Sequence, residues 1–461
     1  MLNCPSIKSS QNSTEIFEGL CKLEKYDRKK CSPDEAHKIV KSGDKVVLAN
    51  LCAEPHLLPN LIMDHANHLR DVTFFHLRPF GEFIQRYLEP GMEAHVKCAT
   101  AFTGGVQPIN RLILEQRADF YPIPLSQLPW LFRSGAYKPD VFIATVSPPD
   151  SQGYCSLGVS VDYARAALET AQTFVAEVNE NMPRTCGDSL VNINEMDYVI
   201  ESSEPIYELP SAEVTSLERK LAANVASVVE DEATIQIGFG AVSESITPFL
   251  KEKKNLGMHS EMFPENAITL IEEGALTCQS MSINRGKIIC AFSAGTKRLY
   301  DWLNDNPMIE MKPFDYTNDC RVISMNHKMT SINAALQIDL YGNIYSDILG
   351  FDQYSGAGGQ PDFVLGSTMS QGGRSIIVLP STTSNGKISR IVASPNLEAN
   401  PRAPAMPTMS RFYADYVVTE YGVASFRGKT TRERAEALVE LAHPNFVDKL
   451  VEEGKRLKLL K

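Results

Sequence analysis

The chain has 461 residues, 43% hydrophobic and 22% charged, enough for two or three domains around a sizeable core. Its net charge of −11 excludes a general nucleic-acid or anionic-membrane binder, because nothing offsets phosphate repulsion. No apolar run approaches the ~18 residues of a membrane helix, and no C-x-x-C pair occurs, which removes zinc ribbons and thioredoxin motifs. The scattered cysteines predict reduced thiols and a cytoplasmic location. Glu15, Glu18 and Glu24 weaken the alternative, a transit segment into the mitochondrial matrix.

In chain order, residues 1–28 read as a polar N-terminal extension. A regular α/β alternation follows: strand Lys45–Ala49, helix Leu57–Leu69, strand Val72–His76. A second passage repeats it, with strand Ala233–Ile237, a turn over Gly238–Val242, a helix through Phe249 and Leu250, and strand Leu256–His259. Two further apolar strands, Val141–Val146 and Ala334–Asp339, each close on an Asp and Gly turn, and Gln172–Val178 and Arg374–Leu379 come next. These pairs predict an α/β fold of two related open domains with mostly parallel sheets covered on both faces. The expected division is 1–28, 29–212 and 213–461. Thr215-x-x-Glu218 reads as a capping box opening a helix whose Leu217, Leu221, Val225, Val228 and Val229 share a face. The stretch 396–407, with Pro401, Pro404 and Pro407, reads as an ordered cover or interface loop. A final helix from Thr431 to Ala442 is expected to stop at His443-Pro444.

Two features carry chemistry. Gly238-Phe239-Gly240 follows an apolar strand and opens a helix, so its backbone N–H groups face an anionic or nucleotide-bearing ligand. It lacks the third glycine and the ribose-binding acid of a dinucleotide fingerprint. One helix later comes Gly257-Met-His-Ser-Glu261-Met-Phe263. A carboxylate at that strand end suits covalent catalysis on an activated acyl group. His259, two residues before it, is the nearby base for water if the two share a strand face. Ser355-Gly-Ala-Gly-Gly-Gln360 is a second glycine turn. His65 and His68, three apart, lack the partners of a metal site, and Cys155 lacks a paired histidine and reads as a small buried thiol.

These segments resemble the acetyl-CoA hydrolase/transferase group of the class I CoA-transferases, in particular its 4-hydroxybutyrate, butyrate and acetate branch. The resemblance rests on Ser147-Pro-Pro-Asp-Ser-Gln-Gly-Tyr-Cys-Ser-Leu-Gly158, Val178-Asn-Glu-Asn-Met-Pro-Arg184, Gly257–Met262, Gln353–Gln360, Leu379–Thr382 with Lys387–Arg390, and Val418–Ala424 with Arg427-Gly428. It covers about residues 30–450. It implies coenzyme A between two α/β domains, with Glu261 as the nucleophile. It places Gly238, Phe239, Gly240, Ala241 and Val242 at the coenzyme A loop, Gly358 and Gly359 near the thioester, and Leu336 against coenzyme A. It implies ping-pong transfer between a short-chain acyl-CoA and a carboxylate through a glutamyl-CoA thioester. Coenzyme A is then a substrate, with no permanently bound cofactor and no metal. Acyl-CoA hydrolysis by the same glutamate is the alternative. A homo-oligomer is compatible with the resemblance; nucleic-acid and membrane partners are not implied. Pro264-Glu265-Asn266 departs from the small turn that often follows the nucleophile in the family, and this bears on the acyl preference.

Overall fold

The computed structural model describes residues 24–238, 240–383, 386–394 and 406–461. Two open sheets organise it. The first has seven strands in the order Ala118–Phe120, Val96–Thr100, Val72–Phe75, Lys45–Leu48, Val141–Val146, Thr173–Asn179, Tyr198–Ser202, and every neighbouring pair is parallel. The second has six, Gly257–Met258, Thr234–Ile237, Met329–Ala334, Arg374–Val378, Tyr416–Thr419 and Gly422–Ser425, parallel except for the last pair. Val141–Val146 and Thr234–Ile237 are buried at every position, as strands covered on both faces must be. One apolar core is shared by both sheets; Val146 and Val178 of the first join Ile235 and Val378 of the second.

In each sheet the first strand lies inside. Lys45–Leu48 sits between Val72–Phe75 and Val141–Val146, and Thr234–Ile237 sits between Gly257–Met258 and Met329–Ala334. Where strand order reverses in this way, the loops leaving the carboxyl ends diverge and open a crevice. The expected pairing of the halves needs one correction. The partner of Val141–Val146 is Met329–Ala334, not Ala334–Asp339. Ala334 ends its strand, and Gln337–Asp339 belongs to a separate sheet with Ile344–Tyr345 and Ile391–Val392. Thr330, Ser331 and Asn333 disguise the strand as polar, yet their groups are paired inside. The Ser331 and Ser367 hydroxyls lie 2.8 Å apart, and Gln236 Oε1 accepts from the Ile332 N–H and the Asn333 amide.

Helix Ser216–Val228 carries the expected capping box, with the Thr215 N–H donating to Glu218 at 3.1 Å and the Leu217 N–H donating to the Thr215 hydroxyl. The C-terminal expectation is corrected. Helix Thr431–Glu440 is followed by another, Pro444–Arg456, capped by His443 Nδ1, which accepts the Asn445 N–H at 3.2 Å. Proline at the first helical position forfeits no intrahelical bond, so His-Pro opens a helix here. Of the expected N-terminal extension, residues 1–23 lie outside the described residues. Tyr26 just after them is buried and donates its hydroxyl to Glu201. The expected cover loop lies outside the described residues over 396–405. No helix among the described residues is long and apolar enough to cross a membrane.

Candidate active site

Glu261 is placed by its two predecessors. The Ser260 hydroxyl donates to the Ile237 carbonyl at 3.1 Å, which ties the segment to the end of the second sheet's inner strand. His259 is fully buried, and its Nε2–H donates to the Thr317 carbonyl at 2.8 Å. Beyond Glu261, Met262–Pro264 pairs with Phe292–Ala294, and the Glu261 carbonyl accepts the Ala291 and Phe292 N–H groups. The backbone is therefore fixed on both sides, and the carboxylate is free to project into the crevice. The expected common strand face of His259 and Glu261 does not form. Residues 260 and 261 are irregular, and no hydrogen bond joins the two side chains.

Around the carboxylate, Glu261 Oε2 accepts the Asn318 side-chain amide at 2.8 Å. Gly359 faces the same oxygen; a Cβ there would fall 1.9 Å from Oε2 and 2.6 Å from Asn318 Nδ2, so only glycine fits. Gly359 caps helix Gln360–Met369, whose N-terminal end thus adjoins the carboxylate. The second glycine turn is locked onto the first half. Thr103 Oγ1 and Asn110 Nδ2 each donate to the Tyr354 carbonyl at 2.9 Å, and a Cβ on Gly356 would lie 2.2 Å from the Ala101 carbonyl. Asp362 accepts the Ser126 hydroxyl at 2.7 Å and the Ser126 N–H at 3.2 Å. The site is built where the two halves meet.

Burial pushes the Glu261 carboxyl up to about 7; the Asp362 and Asp162 carboxylates push the same way, and the Asn318 amide opposes them. Burial likewise raises Asp362 to about 6. His259 is held near 4 by burial and stays neutral at pH 7. Cys155 is buried and its thiol is pushed up to about 12, an inert state, in line with its sequence reading. His65 stacks on His37 at 3.9 Å, away from the glutamate, and the described residues contain no group of metal-ligating side chains.

A cavity of about 250 Å³ opens over Glu261, walled by Phe102, Gln236, Gly238, Val242, Asn333, Gly358 and Gly359 among others. A second cavity of about 530 Å³ adjoins it and includes Gly240. Gly238, Gly240, Val242, Gly358, Gly359 and Glu261 are thus brought together. Gly240 at φ +107° and Gly358 at φ +61° occupy backbone conformations that glycine tolerates best. Ala241 starts helix Ala241–Leu250 but lines neither cavity, and neither does Leu336, whose N–H is spent on the Tyr345 carbonyl. Phe239 lies outside the described residues. Sequence reasoning missed Asn318, Asp362 and Ser126, single polar residues with no periodic signature. It also missed Phe102, although Gly104-Gly105 just after strand Val96–Thr100 marked that turn.

The acetyl-CoA hydrolase/transferase N-terminal domain model matches residues 17–209, and the corresponding C-terminal domain model matches residues 295–454. The chain is 40% identical to the 4-hydroxybutyrate coenzyme A transferase of Clostridium kluyveri, over 94% of this chain and 98% of that one. It is 37% identical to the succinyl-CoA:cyclohexane-1-carboxylate CoA transferase of Geobacter metallireducens, over 98% and 99%. The crystal structure of RipA from Yersinia pestis superimposes with a TM-score of 0.87 at 34% identity, over 95% and 99%. The chain belongs to the acetyl-CoA hydrolase/transferase family and is an enzyme of the CoA-transferase type.

Proposed function

We propose that this enzyme moves coenzyme A between a short-chain acyl-CoA and a carboxylate of the acetate, butyrate or 4-hydroxybutyrate kind, with Glu261 as the covalent nucleophile. The Glu261 carboxylate attacks the thioester carbonyl, the C–S bond breaks, and an acyl-glutamyl anhydride and CoA thiolate result. The thiolate attacks the glutamyl carbonyl and expels the first carboxylate, leaving a glutamyl-CoA thioester. A second carboxylate reverses both steps and leaves as the new acyl-CoA. The thioester bond energy is conserved, so no nucleotide is consumed. Backbone N–H groups of Gly358 and Gly359 are suited to the developing oxyanion, at ~3 kcal/mol per donor. The Gly238–Val242 turn, with Leu336 as a further contact, is the proposed coenzyme A side.

The observation that carries this reading is the Glu261 carboxylate, fixed by Asn318 against a glycine that leaves it room, at the floor of a cavity between the halves. The proposal keeps the boundary near residue 213, just before helix Ser216–Val228. It also keeps a homo-oligomer and a reducing, cytoplasmic-type compartment, the latter supported by the free cysteines of the described residues. The test is trapping. Enzyme mixed with acyl-CoA and no acceptor should accumulate a glutamyl-CoA thioester, borohydride should then inactivate it, and mass spectrometry should find the change on the Glu261 peptide. Inactivation that does not depend on acyl-CoA, or a label elsewhere, refutes the mechanism.

A further inference from the structure

We propose that Asp362 is a positioning residue for the nucleophile: it keeps the Asn318 amide turned toward Glu261, and through Ser126 it ties that arrangement to the docking of the first half. The inference rests on the CoA-exchange reading and adds the residues that keep its nucleophile in order. Asp362 lies in the first turn of helix Gln360–Met369, just past Gly359. An acid there ordinarily serves its own helix N-terminus. Asp362 instead turns to two other elements. Its Oδ1 accepts the Ser126 hydroxyl at 2.7 Å, and its Oδ2 accepts the Ser126 N–H at 3.2 Å and the Asn318 amide at 3.4 Å. Ser126 belongs to the turn Leu125–Gln127 of the first half, and the Leu125 N–H donates to the Gly358 carbonyl at 3.4 Å. Two consecutive residues of the first half thus hold the glycine turn and the acid beside it.

Asn318 is fully buried at the end of helix Phe314–Thr317. Its Nδ2 is shared by two carboxylates, Glu261 Oε2 at 2.8 Å and Asp362 Oδ2 at 3.4 Å. Its Oδ1 is buried and has no donor among the described residues. Acceptors alone therefore set which way the amide faces, and a flipped amide would press its oxygen onto both acids. While Glu261 is a free carboxylate it shares that task. Attack through Oε1 leaves Oε2 as a neutral carbonyl oxygen, a weaker acceptor. Asp362 is then the charged acceptor left to the amide. Burial raises it to about 6 against the Ser126 and Asn318 hydrogen bonds, so it is mainly ionised at pH 7. The amide it orients faces the oxygen on which charge develops when thiolate or carboxylate attacks the glutamyl carbonyl. Neither Asn318 nor Asp362 lines the cavity over Glu261, so both act through Glu261 and not on the substrate.

The test is a double-mutant cycle on exchange between acetyl-CoA and butyrate, with thermal unfolding as the check on folding. Asp362→Asn keeps the shape and removes the charge. It should lower kcat roughly 10- to 100-fold, the scale of a misplaced oxyanion donor, and leave the calorimetric affinity for free coenzyme A within about twofold. Asn318→Ala alone should cost about 100-fold in kcat. In the Asn318→Ala background, Asp362→Asn should cost less than about threefold more, because its effect travels through the missing amide. Should Asp362→Asn fail to fold, Ser126→Ala enters the same cycle. It removes one donor to Asp362 and should lower kcat about three- to tenfold, again only where Asn318 is present. Losses that multiply in the double variant, or a folded Asp362→Asn enzyme with kcat within about twofold of wild type, overturn the proposal. Trapping with borohydride separates this inference from the reading beneath it. A label on the Glu261 peptide together with multiplying losses sinks the positioning role alone. Losses that do not multiply, in an enzyme that forms no thioester on Glu261, keep the role and sink the covalent reading.

Discussion

Each half of the molecule buries acids at the carboxyl end of its sheet, and the two halves treat them differently. In the first half, Glu177 accepts the N–H groups of His56, Leu57 and Leu58, which are the orphan donors at the start of helix Leu57–Asp64. Its neighbour Glu54 accepts the N–H groups of Gly81 and Phe80. In the second half, Glu261 accepts one side-chain amide on Oε2, and among the described residues Oε1 has no donor. Burial raises the pKa of all three, so burial does not set the nucleophile apart. Saturation by backbone donors makes an acid structural. A carboxylate left with lone pairs, facing a cavity and a glycine, is available for attack.

The widest separation between these roles should come from deleting the acids. Glu261→Ala is expected to fold and to lose exchange by several decades. Glu177→Ala should orphan three buried N–H groups and cost about 3 kcal/mol of stability, while the folded fraction still turns over. Urea titration beside steady-state kinetics reads both, and substantial turnover by Glu261→Ala would break the contrast at its root.

The glycines that face the acids sharpen the comparison. Gly359→Ala puts a Cβ 1.9 Å from Glu261 Oε2, and the displaced carboxylate should lower kcat about 100-fold. Gly81→Ala puts a Cβ 2.6 Å from Glu54 Oε1 and 2.7 Å from the Phe83 ring. It should cost about 2 kcal/mol of stability, the scale of overpacking, with a smaller effect on kcat. Both variants losing stability alone would mean that Gly359 serves packing and not the nucleophile.

The same acids predict opposite pH trends for activity and stability. Attack needs the ionised Glu261, whose pKa is about 7, so kcat/KM should fall about tenfold per unit below about pH 6 and level off above about pH 8. Glu54 is raised from its ordinary 4.5 to about 8 by burial, so the native state holds its proton more tightly than the unfolded chain does. That stabilisation is complete below about pH 4.5 and is lost as pH rises through about 8. Urea midpoints should therefore drop between about pH 5 and 9, and Glu54→Gln should flatten the drop. A rate profile that is flat from about pH 5 to 8 would show that Glu261 titrates as an ordinary carboxylate.

What could be read from sequence followed the strength of the local pattern. Val141–Val146, apolar but for Thr145, was legible as a buried strand. Met329–Ala334 was not, because its polar groups are paired by residues distant in sequence, Gln236, 96 residues before Ile332, and Ser367, 36 residues after Ser331. The turn and the acid of the site were legible as a glycine pair after a strand and a carboxylate at the next strand end. Asn318, Ser126 and Asp362 were not, because each reaches the crevice from a different element and carries no spacing relative to Glu261. His443-Pro444 shows a further limit: the same dipeptide that stops one helix starts the next.

His259 carries the smallest expected effect, and it decides between transfer and hydrolysis. A base for water must present a free ring nitrogen to the crevice and take up a proton near neutral pH. His259 does neither. Its Nε2–H is spent on the Thr317 carbonyl, its Nδ1 is buried without a partner, and its pKa is about 4. Its position next to Thr317 instead holds the segment that carries Asn318, the one amide donor to Glu261. His259→Gln keeps a donor for that carbonyl. It should cost about 1–2 kcal/mol of stability through altered packing against Phe363 and Tyr316, and it should change the ratio of acyl-CoA hydrolysis to exchange by less than about twofold. The ratio is measured as free CoA released with no acceptor, over the exchange rate with saturating carboxylate. If the wild type hydrolyses at a rate comparable to exchange, and His259→Gln abolishes that hydrolysis alone, the histidine is a water-activating base and the proposed role of Glu261 as an acyl carrier shielded from water fails.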